Sequence, residues 1–443
     1  MVAQTYRIED VFTPTKPARA TFVERTAVND KLVKALVTPG KQIVVYGHSG
    51  SGKTTLLVNK LDQLYEDHIV TRCTSSMSFD QIMLNGFDEL DPYYSSEKVR
   101  TKTVKISSSL TSEYALIKSL IAGEISGSTQ TKAQRILPPQ LNPQTLARLL
   151  GEAKCCWVLE DFHKIESAEK VHLAQAMKLF VDMADKYPSV RIVAIGAVNT
   201  AREVIEYDAE MRNRVTEIEV PLMTRKELDE IVQKGQELLN FDLDRSVKTR
   251  IGQYSNGLAS VCHQLCFNIC FAADIVETLP EKSVITSQEL EKAVEMYLDE
   301  ASDTVKSAFD KALKQKKRKY ENGKLILQAL TKFDQDGATY SQILKSIQAK
   351  EPDYPQGNLT AFLSQLQTEE KGKLLRYDNA SGKYAFADPI YRVFAMGAFG
   401  EKSDPVVLFR DSFEIELSDG TKKRMALAFE KLVASLAGAV TKL

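Results

Sequence analysis

The sequence lacks an excess of charge of either sign. It contains 58 Lys and Arg against 59 Asp and Glu, so no whole-molecule field attracts it to nucleic acid or to an anionic membrane. Any such contact would require a local basic patch. It also lacks a run of about 18 apolar residues, which a membrane-spanning helix needs. Its first residues carry acidic side chains and proline without a long apolar core, so they do not predict a signal peptide.

Cysteine is scarce, and the six cysteines are spread along the chain. Cys262, Cys266 and Cys270 follow one another at every fourth position in VCHQLCFNICFAA, which places them on one stripe of a predicted helix beside His263. We interpret them as small buried side chains, because free cysteine is often buried. The alternative is a metal site, although structural zinc sites usually pair CxxC loops. This cysteine usage predicts a reducing cytoplasm.

The length of the chain predicts two or three domains of roughly 100 to 200 residues each. In 1–223, short β-branched runs alternate with helical patterns, which predicts a mostly parallel sheet with helices on both faces. Only helical patterns follow in 224–313, which we interpret as a helical lid. Residues 314–400 combine short helical patterns with a hairpin around NASG, which predicts an α+β winged-helix domain. We interpret 401–443 as a strand and helix appendage.

One long segment interrupts the alternation of strands and helices. Within 70–150, the stretches DELDPYYSSEKVRTKTVKISSS and SGSTQTKAQRILPPQLNPQT are dominated by serine, threonine, proline and charge. Segments of this composition commonly lie on the surface and carry contacts to partners. We therefore expect a mobile or partner-contacting element here, outside the core.

A glycine-rich segment follows the first predicted strand. GHSGSGKT fits the pattern G-x-x-x-x-G-K-[ST] and lies between the strand KQIVVYG and the helix KTTLLVNKLDQLYED. In this context backbone N–H groups surround a phosphate, Lys53 reaches the β- and γ-phosphates, and Thr54 gives its hydroxyl to Mg²⁺. The sequence thus predicts a site for ATP and Mg²⁺, with these nucleotide-binding residues: Gly47, Ser49, Gly50, Ser51, Gly52, Lys53, Thr54 and Thr55.

Hydrolysis of the nucleotide requires further groups at the ends of neighbouring strands. The apolar run CCWVLED ends in Glu160 and Asp161, and we assign Glu160 to the metal, with Thr54, and Asp161 to the attacking water. The short Asp side chain predicts slow hydrolysis, which suits a switch better than a motor. Asn199 ends the next predicted strand, where its amide could reach the γ-phosphate or the water.

Two arginines precede the last predicted strand of the sheet. In EMRNRVTEIEV, Arg212 or Arg214 could project from one subunit into the nucleotide site of the next and act as an arginine finger. The alternative is an ordinary surface salt bridge. The sequence favours Arg214 for the finger but leaves both assignments open.

Together these motifs resemble those of AAA+ and STAND-type ATPases. The resemblance is closest to the branch that joins the ATPase core and lid to a C-terminal winged helix, as in origin-recognition-type initiators and many prokaryotic STAND ATPases. TFVER is similar to the family's N-terminal box, GHSGSGKTT to its Walker A motif and VLED to its Walker B motif with the acids reversed. Asn199 takes the place of sensor 1 and Arg214 that of the finger, and GKYAFADPIYRVF is similar to the segment that follows the wing. The resemblance implies an α/β P-loop NTPase of the AAA+ type.

One stretch departs from both families. SNGLASVCHQL lies where AAA+ lids commonly carry a sensor 2 arginine and STAND proteins a Gly-hydrophobic-Pro motif, but it has Gly257, Leu258, Ala259 and Ser260. His263, one turn further on, is interpreted as a partly buried helical histidine, with a contact to phosphate as the alternative.

Three functions remain in competition. The first is an ATP-dependent oligomerising switch that acts through a partner protein, with a role in prokaryotic defence implied by the resemblance alone. The second is a DNA-binding loader or regulator, which needs a basic recognition surface. The predicted recognition helix has as many acidic as basic residues, whereas Arg376, Lys383 and the run KQKKRK supply positive charge. The third, a small-molecule kinase, is disfavoured because a lid and a winged helix follow the core.

Overall fold

A computed structural model describes most of the chain. Among the described residues, no helix is both long and apolar enough to span a bilayer. Three predictions concern residues outside the described ranges: Asn199, most of the basic run (315–318) and the appendage (401–443). The described residues are 4–64, 67–95, 111, 114–119, 141–197, 209–314, 319–379 and 381–400.

The central sheet has five parallel strands in the spatial order β2-β3-β4-β1-β5. Strands β1, β3 and β4 are almost entirely buried, as in a parallel sheet covered on both faces. In the register of the sheet, Tyr46 pairs with Gly196 and Glu219, and Arg72 pairs with Glu160, so the carboxyl ends of the strands meet at one end. The strands are β1 (Gln42–Tyr46), β2 (His68–Arg72), β3 (Cys156–Glu160), β4 (Ile192–Gly196) and β5 (Val215–Glu219).

Helices cover both faces of this sheet, as predicted. Ile43 and Val45 of β1 pack against one helical layer, and Val44 between them faces the other, because successive strand residues point to opposite faces. The first layer contains α2 (Thr26–Val37) and α3 (Lys53–Leu64). The second contains α4 (Phe79–Asp88), α5 (Asp91–Ser95), α6 (Pro143–Ala153) and α7 (Ser167–Met183).

Part of the segment 70–150 belongs to the core, so the expectation that it lies outside was wrong for this part. Phe87, Tyr94 and Tyr114 are buried in the same cluster as Trp157 of the sheet. The Tyr94 and Tyr114 rings stack with centroids 4.9 Å apart. Both hydroxyls donate to backbone carbonyls, of Leu149 at 2.6 Å and of Phe87 at 2.8 Å. The composition misled because a few large aromatic side chains, widely spaced among polar residues, carry this packing.

A second cluster forms the lid. Its cysteines Cys262, Cys266 and Cys270 are free and buried, which confirms their interpretation as small core residues. A short helix at the start of the chain, α1 (Ile8–Val11), packs into the same cluster. The other elements are α8 (Arg225–Leu239), β6 (Phe241–Leu243), α9 (Arg245–Ser255), α10 (Ala259–Ala272), β7 (Ser283–Ile285) and α11 (Ser287–Glu300).

A third cluster has the predicted winged-helix arrangement. Helices pack on a small sheet in which β10 lies between β8 and β9, and β9 and β10 pair antiparallel, as in the hairpin that the sequence predicts. Phe309 of the preceding helix packs against aromatic rings of the last helix. The elements are α12 (Asp303–Leu313), α13 (Asn322–Thr331), β8 (Ala338–Thr339), α14 (Tyr340–Gln348), α15 (Gln356–Gln365), β9 (Leu375–Asp378), β10 (Lys383–Phe386) and α16 (Pro389–Phe399).

Candidate nucleotide-binding site

A cavity of about 1010 Å³ lies at the carboxyl ends of the strands of the central sheet. Arg72 and Glu160, the last residues of β2 and β3, line it together with the glycine-rich loop that follows β1. Ligands of open α/β sheets bind at this end of the strands. The volume is at the upper end of the roughly 300 to 1000 Å³ common for small-molecule sites. A ligand as large as a nucleotide therefore fits.

The glycine-rich loop has the backbone of a phosphate cradle. Gly47, Gly50 and Gly52 have φ angles of 152°, 77° and 90°, which side chains rarely permit. A Cβ at Gly47 would also lie 2.4 Å from the carbonyl oxygen of Val220. Helix α3 begins directly afterwards at Lys53, so its first N–H groups and the positive end of its dipole are at the cavity. The geometry of the loop therefore suits an anion, at the place where the sequence predicts one.

Lys53 lies across this loop. Its Nζ donates hydrogen bonds to the carbonyl oxygens of Gly47, at 3.0 Å, and His48, at 2.8 Å. Burial lowers the pKa of the Lys53 amine, and the nearby Asp161 carboxylate opposes that shift. The amine is thus held between the loop and the acidic strand end, within the wall of the cavity.

The two acidic residues lie at the same cavity as the loop. Glu160 ends β3 with its side chain 20% exposed, and its Oε2 is 3.3 Å from Nε of Arg72 on the neighbouring strand. Asp161 follows in the left-handed region at φ 58°, which Asp tolerates better than most residues. Its Oδ2 accepts a hydrogen bond from Lys164 at 2.7 Å. The structure thus brings together the phosphate cradle and both predicted acids, whose separate roles stay predictions.

The donor set suits Mg²⁺. Within the described ranges, no group of three or more His, Cys, Asp or Glu side chains is arranged to hold a metal. Mg²⁺ does not require such a cage, because it usually takes one or two protein oxygens and completes its shell with water and substrate phosphates. Thr54 and Glu160 both line the cavity and supply oxygen ligands of this kind.

The structure does not bring Arg214 to this cavity. Arg214 precedes β5, and its carbonyl accepts from the N–H of Gln42 at the amino end of β1. Five residues of β5 separate it from the carboxyl end, roughly 16 Å at about 3.3 Å per residue. Its Nη1 lies 3.5 Å from Asp182, and Arg212 is exposed. Neither arginine lines the cavity of its own chain, so a finger role would require a second subunit.

The lid touches the glycine-rich loop directly, which sequence reasoning missed. The N–H of Ser260, in the first turn of α10, donates to the carbonyl oxygen of Gly50 at 3.2 Å. The Ser260 hydroxyl lies 2.2 Å from the position that a Cβ on Gly50 would occupy. The small residues that depart from both family patterns, Ala259 and Ser260, allow this approach. In the sequence, two small residues shortly after the turn at Gly257 were the signal that could have indicated this contact.

An N-terminal strap, residues 4–25, joins the lid to the core across the cavity. At the lid, the N–H of Thr13 donates to Nδ1 of His263 at 3.1 Å. At the core, the N–H of Ala18 donates to the Thr55 hydroxyl at 3.4 Å, and the Ala18 carbonyl accepts from Asn59 at 2.9 Å. The strap therefore contacts the helix that follows the glycine-rich loop and the lid helix α10.

Arg25, in the TFVER segment of the strap, was also missed as a site residue. Its side chain is 6% exposed, and Nη2 donates to the carbonyl oxygens of Pro221, at 2.9 Å, and Leu222, at 3.3 Å. Its Nε lies 3.3 Å from Oε1 of Glu227 at the start of α8. Arg25 thus holds the connection between sheet and lid while lining the cavity.

Three buried polar atoms of the cavity wall have no hydrogen-bond partner in the described part of the chain. They come from the loop and from the strap. Buried polar groups are normally satisfied, so their presence indicates a ligand with several donors and acceptors, as a nucleotide has. The atoms are Ser51 Oγ, Arg25 Nη1 and Thr13 Oγ1.

The lid segment that touches the loop is also bonded to the winged helix. Arg392 of α16 donates through Nη1 to Oδ1 of Asn256 at 2.8 Å, and through Nη2 to the carbonyl of Phe333 at 2.5 Å. The side-chain amide of Asn256 donates a hydrogen bond to the carbonyl oxygen of Pro389, also in α16, at 3.2 Å. Only four positions separate Asn256 from Ser260. One short segment therefore connects the cavity with the third cluster.

Comparison with known proteins gives a likeness in structure only. No protein-family model matches the sequence, and no curated protein sequence matches it. A Walker-type ATPase of Pyrococcus abyssi matches at 15% identity with a TM-score of 0.50, over 86% of this chain and 97% of its own. Cdc6p of Pyrobaculum aerophilum matches at 14% identity and a TM-score of 0.42, over 88% and 97%. The Orc1 protein of Aeropyrum pernix, in complex with DNA, matches at 13% identity and a TM-score of 0.44, over 89% of this chain and 97% of its own.

At such low identity the likeness concerns the fold, and for the fold it agrees with what the sequence predicts. The five-stranded parallel sheet, the loop after β1, the helical lid and the winged helix are all present in the described residues. The predicted fold is therefore confirmed: the chain has an α/β core of the P-loop ATPase type, followed by a helical lid and a winged helix.

Proposed function

We propose that this chain binds ATP with Mg²⁺, hydrolyses it slowly, and works as a nucleotide-dependent switch. The observation that carries the proposal is the convergence of Lys53, Glu160 and Asp161 on one cavity whose opposite wall is the lid. The hydrogen bond from Ser260 to Gly50 supports the switch, because it links lid position to the loop that would hold the phosphates. The hydrogen bond from Arg392 to Asn256 extends that link to the winged helix.

The predicted site residues have separate chemical roles in this proposal. The loop N–H groups and Lys53 bind the β- and γ-phosphates. Thr54 and Glu160 hold the metal, and Asp161 orients the attacking water. When bound, Mg²⁺ neutralises charge on the phosphate oxygens. Asn199 is proposed to assist at the γ-phosphate.

Two contacts support slow turnover. Asp161 has a shorter side chain than Glu and is paired with Lys164. Its carboxylate must therefore move towards the water and break this pair before it can orient the water. Glu160 is paired with Arg72, whose positive charge occupies the place next to the proposed metal ligand. A switch that stays in its ATP state for a long time benefits from such restraint, whereas a motor does not.

We also propose that the switch acts as a homo-oligomer and through a partner protein in the cytoplasm. Arg214, with Arg212 as the alternative, would then reach the cavity of the adjacent subunit, where a guanidinium stabilises the charge of the transition state. The position of both residues at the far end of the sheet supports action between subunits. A STAND-like role in prokaryotic defence rests on the resemblance of motifs alone.

DNA binding through the winged helix is the second candidate, and the described surface favours it less. Helix α15, in the position of a recognition helix, has the sequence QGNLTAFLSQ and carries no charged side chain. Near it, Lys373 is paired with Glu369 at 2.8 Å. Arg376 and Lys383 of the wing provide positive charge, but phosphate contacts by several basic residues supply most non-specific affinity for DNA.

The decisive experiment measures ATP turnover and size distribution with ATP or ADP, with and without duplex DNA. We expect Mg²⁺-dependent turnover and a shift to a larger species in ATP, both without DNA. Lys53→Ala should abolish both, whereas Lys226→Ala, which removes an exposed lysine outside the cavity, should leave both unchanged. Absence of nucleotide binding in the wild type would refute the proposal, and strict dependence on DNA would establish the second candidate instead.

The arginine finger has a separate test. In the assembled state Arg214→Ala should lower turnover about 1000-fold if it stabilises the transition state as fingers do elsewhere. Nucleotide affinity should change little. If Arg214→Ala turned over ATP as fast as the wild type, the finger role would pass to Arg212. If Arg212→Ala did so as well, neither arginine would be a finger.

A further inference from the structure

His263 is held in one orientation at the border of lid and strap. The residue is 4% exposed, and its Nδ1 accepts a hydrogen bond from the N–H of Thr13 at 3.1 Å. The ring of Phe12 meets it edge to face, with centroids 6.2 Å apart and an interplanar angle of 72°. A neutral imidazole that accepts at Nδ1 carries its proton at Nε2. His263 is therefore a hydrogen-bond donor of fixed direction.

Two polar groups at this border remain available to a ligand. His263 and Thr13 both line the cavity. The Thr13 hydroxyl is buried and has no partner within the described ranges. Nor does any described residue accept a hydrogen bond from Nε2 of His263. A buried hydroxyl and the N–H of an imidazole whose residue is 4% exposed thus come from two different elements to the same cavity, where each gains from a hydrogen bond.

The position of this pair indicates which part of a nucleotide it meets. Helix α10 begins against the glycine-rich loop, where Ser260 donates to Gly50. N–H groups of a first turn point back from the helix, so α10 runs away from the loop and from the phosphates. His263 comes three residues after Ser260, about 4.5 Å further along the axis. The pair therefore lies beyond the glycine-rich loop, and the part of a nucleotide that extends beyond its phosphates is the nucleoside.

We propose that Thr13 and His263 form a nucleoside-binding pair in which the imidazole N–H donates to an acceptor of the sugar or base and the Thr13 hydroxyl makes a second bond. This inference rests on the proposed function and specifies the other half of the same site. Because Thr13 belongs to the strap and His263 to the lid, a bound nucleoside joins the two elements. Burial lowers the pKa of His263 to about 4, so the ring stays neutral near pH 7 and Nδ1 keeps accepting from Thr13.

Paired substitutions separate the two ring nitrogens of His263. In His263→Asn the amide oxygen can take the place of Nδ1 and keep the bond from Thr13, but nothing replaces Nε2. In His263→Gln the amide N–H reaches the position of Nε2, and the acceptor at Nδ1 is lost. Thr13→Val removes only the hydroxyl and leaves the backbone N–H that holds the histidine.

The test measures affinity for ADP and for inorganic tripolyphosphate by competition against a fluorescent ADP. We expect His263→Asn and Thr13→Val to weaken ADP binding about 3- to 10-fold, the range for one hydrogen bond, and His263→Gln to retain most of the affinity. Tripolyphosphate should bind all variants as it binds the wild type, because the phosphate cradle is intact. Circular dichroism and the unfolding midpoint identify any variant that fails to fold.

Two results would overturn the pair. Either ADP affinity is unchanged in both His263→Asn and Thr13→Val, or tripolyphosphate affinity falls as much as ADP affinity, which would place the contact at the phosphates. Failure of the proposed function is distinct from these, since then wild type and Lys53→Ala would both fail to bind ADP.

Discussion

The two walls of the cavity are built in different ways. The wall that we propose to hold the phosphates, called the phosphate wall, is one continuous segment, 47–55, whose shape depends on glycine torsions and on the start of helix α3. The opposite wall is assembled from the strap and the lid, and its partners Thr13 and His263 are 250 positions apart. The first wall is thus determined by local sequence, whereas the second exists only when the lid is packed.

Because of this difference, substitutions in the two walls should affect nucleotide affinity and the stability of the lid to different degrees. A side chain such as Lys53 can be removed from the phosphate wall with little loss of packing. Residues of the lid wall also hold the lid against the core, so their removal should lower the stability of the lid as well as the affinity for nucleotide. The following substitutions are ordered by the size of the expected effect.

Arg25→Met should have the largest effect. It removes the donor of two carbonyl oxygens and the ion-pair partner of Glu227, and breaking a buried ion pair commonly costs about 3 kcal/mol. We expect a lower midpoint for the unfolding transition of the lid, measured by calorimetry, together with weaker nucleotide binding. The matched control is Arg19→Met in the same strap.

Arg19 is paired with Asp62 at 2.9 Å, but its side chain is 70% exposed. Exposed pairs contribute less than about 1 kcal/mol, so the control should unfold close to the wild type. If Arg25→Met and Arg19→Met had equal midpoints, Arg25 would not hold the lid, and the two walls would not differ as described.

Gly50→Ala should have the next largest effect, because it strains the phosphate wall and also displaces the lid residue Ser260. The residue has φ 77°, and an alanine in a left-handed conformation costs about 1 to 2 kcal/mol. Its Cβ would also collide with the Ser260 hydroxyl. We expect a lower unfolding midpoint and weaker ADP binding, measured by calorimetry and titration.

A second substitution separates the two causes. Adding Ser260→Ala to Gly50→Ala removes the hydroxyl from the collision but not the backbone strain, so it should recover part of the loss. Gly357→Ala is the control, because its added Cβ meets no atom within 4 Å on the exposed side of α15. It should be neutral or slightly stabilising. No recovery in the double variant would show that the lid does not rest on Gly50.

The same contrast explains what could be predicted from the sequence. The loop at 47–55, the acidic strand end at Glu160 and the winged-helix hairpin are each encoded within a few neighbouring residues, and the sequence predicts all three. The roles of Arg25 and His263 depend on partners roughly 200 positions or more away, which no local pattern reveals. The buried part of 70–150 was missed because its aromatic residues are sparse and find partners only in the folded sheet.

The pH dependence of stability should show an intermediate effect at the lid wall. Burial lowers the pKa of His263 from 6.5 to about 4, so between these values the unfolded chain binds a proton that the folded chain does not. The stability associated with neutral His263 is therefore complete above pH 6.5 and is lost as the pH falls towards 4, by up to about 1.4 kcal/mol per pH unit.

His263→Asn isolates this contribution, since burial lowers the pKa of His68 and His163 as well and both remain in the variant. Between pH 7.5 and pH 5.5 the wild type should lose about 1 kcal/mol more than His263→Asn, measured by denaturant unfolding of the lid transition. Parallel pH profiles for the two proteins would contradict the buried, neutral state of the imidazole.

Arg72→Ala should have the smallest effect on stability and the most informative effect on chemistry. The side chain is 85% exposed, so its pair with Glu160 contributes less than about 1 kcal/mol to folding and is screened by salt. Yet its charge competes with a cation for the Glu160 carboxylate. Removing it should lower the Mg²⁺ concentration that gives half-maximal turnover while the unfolding midpoint stays constant. Arg376→Ala, an exposed arginine of the wing, should change neither value. A higher Mg²⁺ requirement in Arg72→Ala would mean that Arg72 assists the phosphates instead of restraining Glu160, and the phosphate wall would then extend from the loop to the edge strand β2.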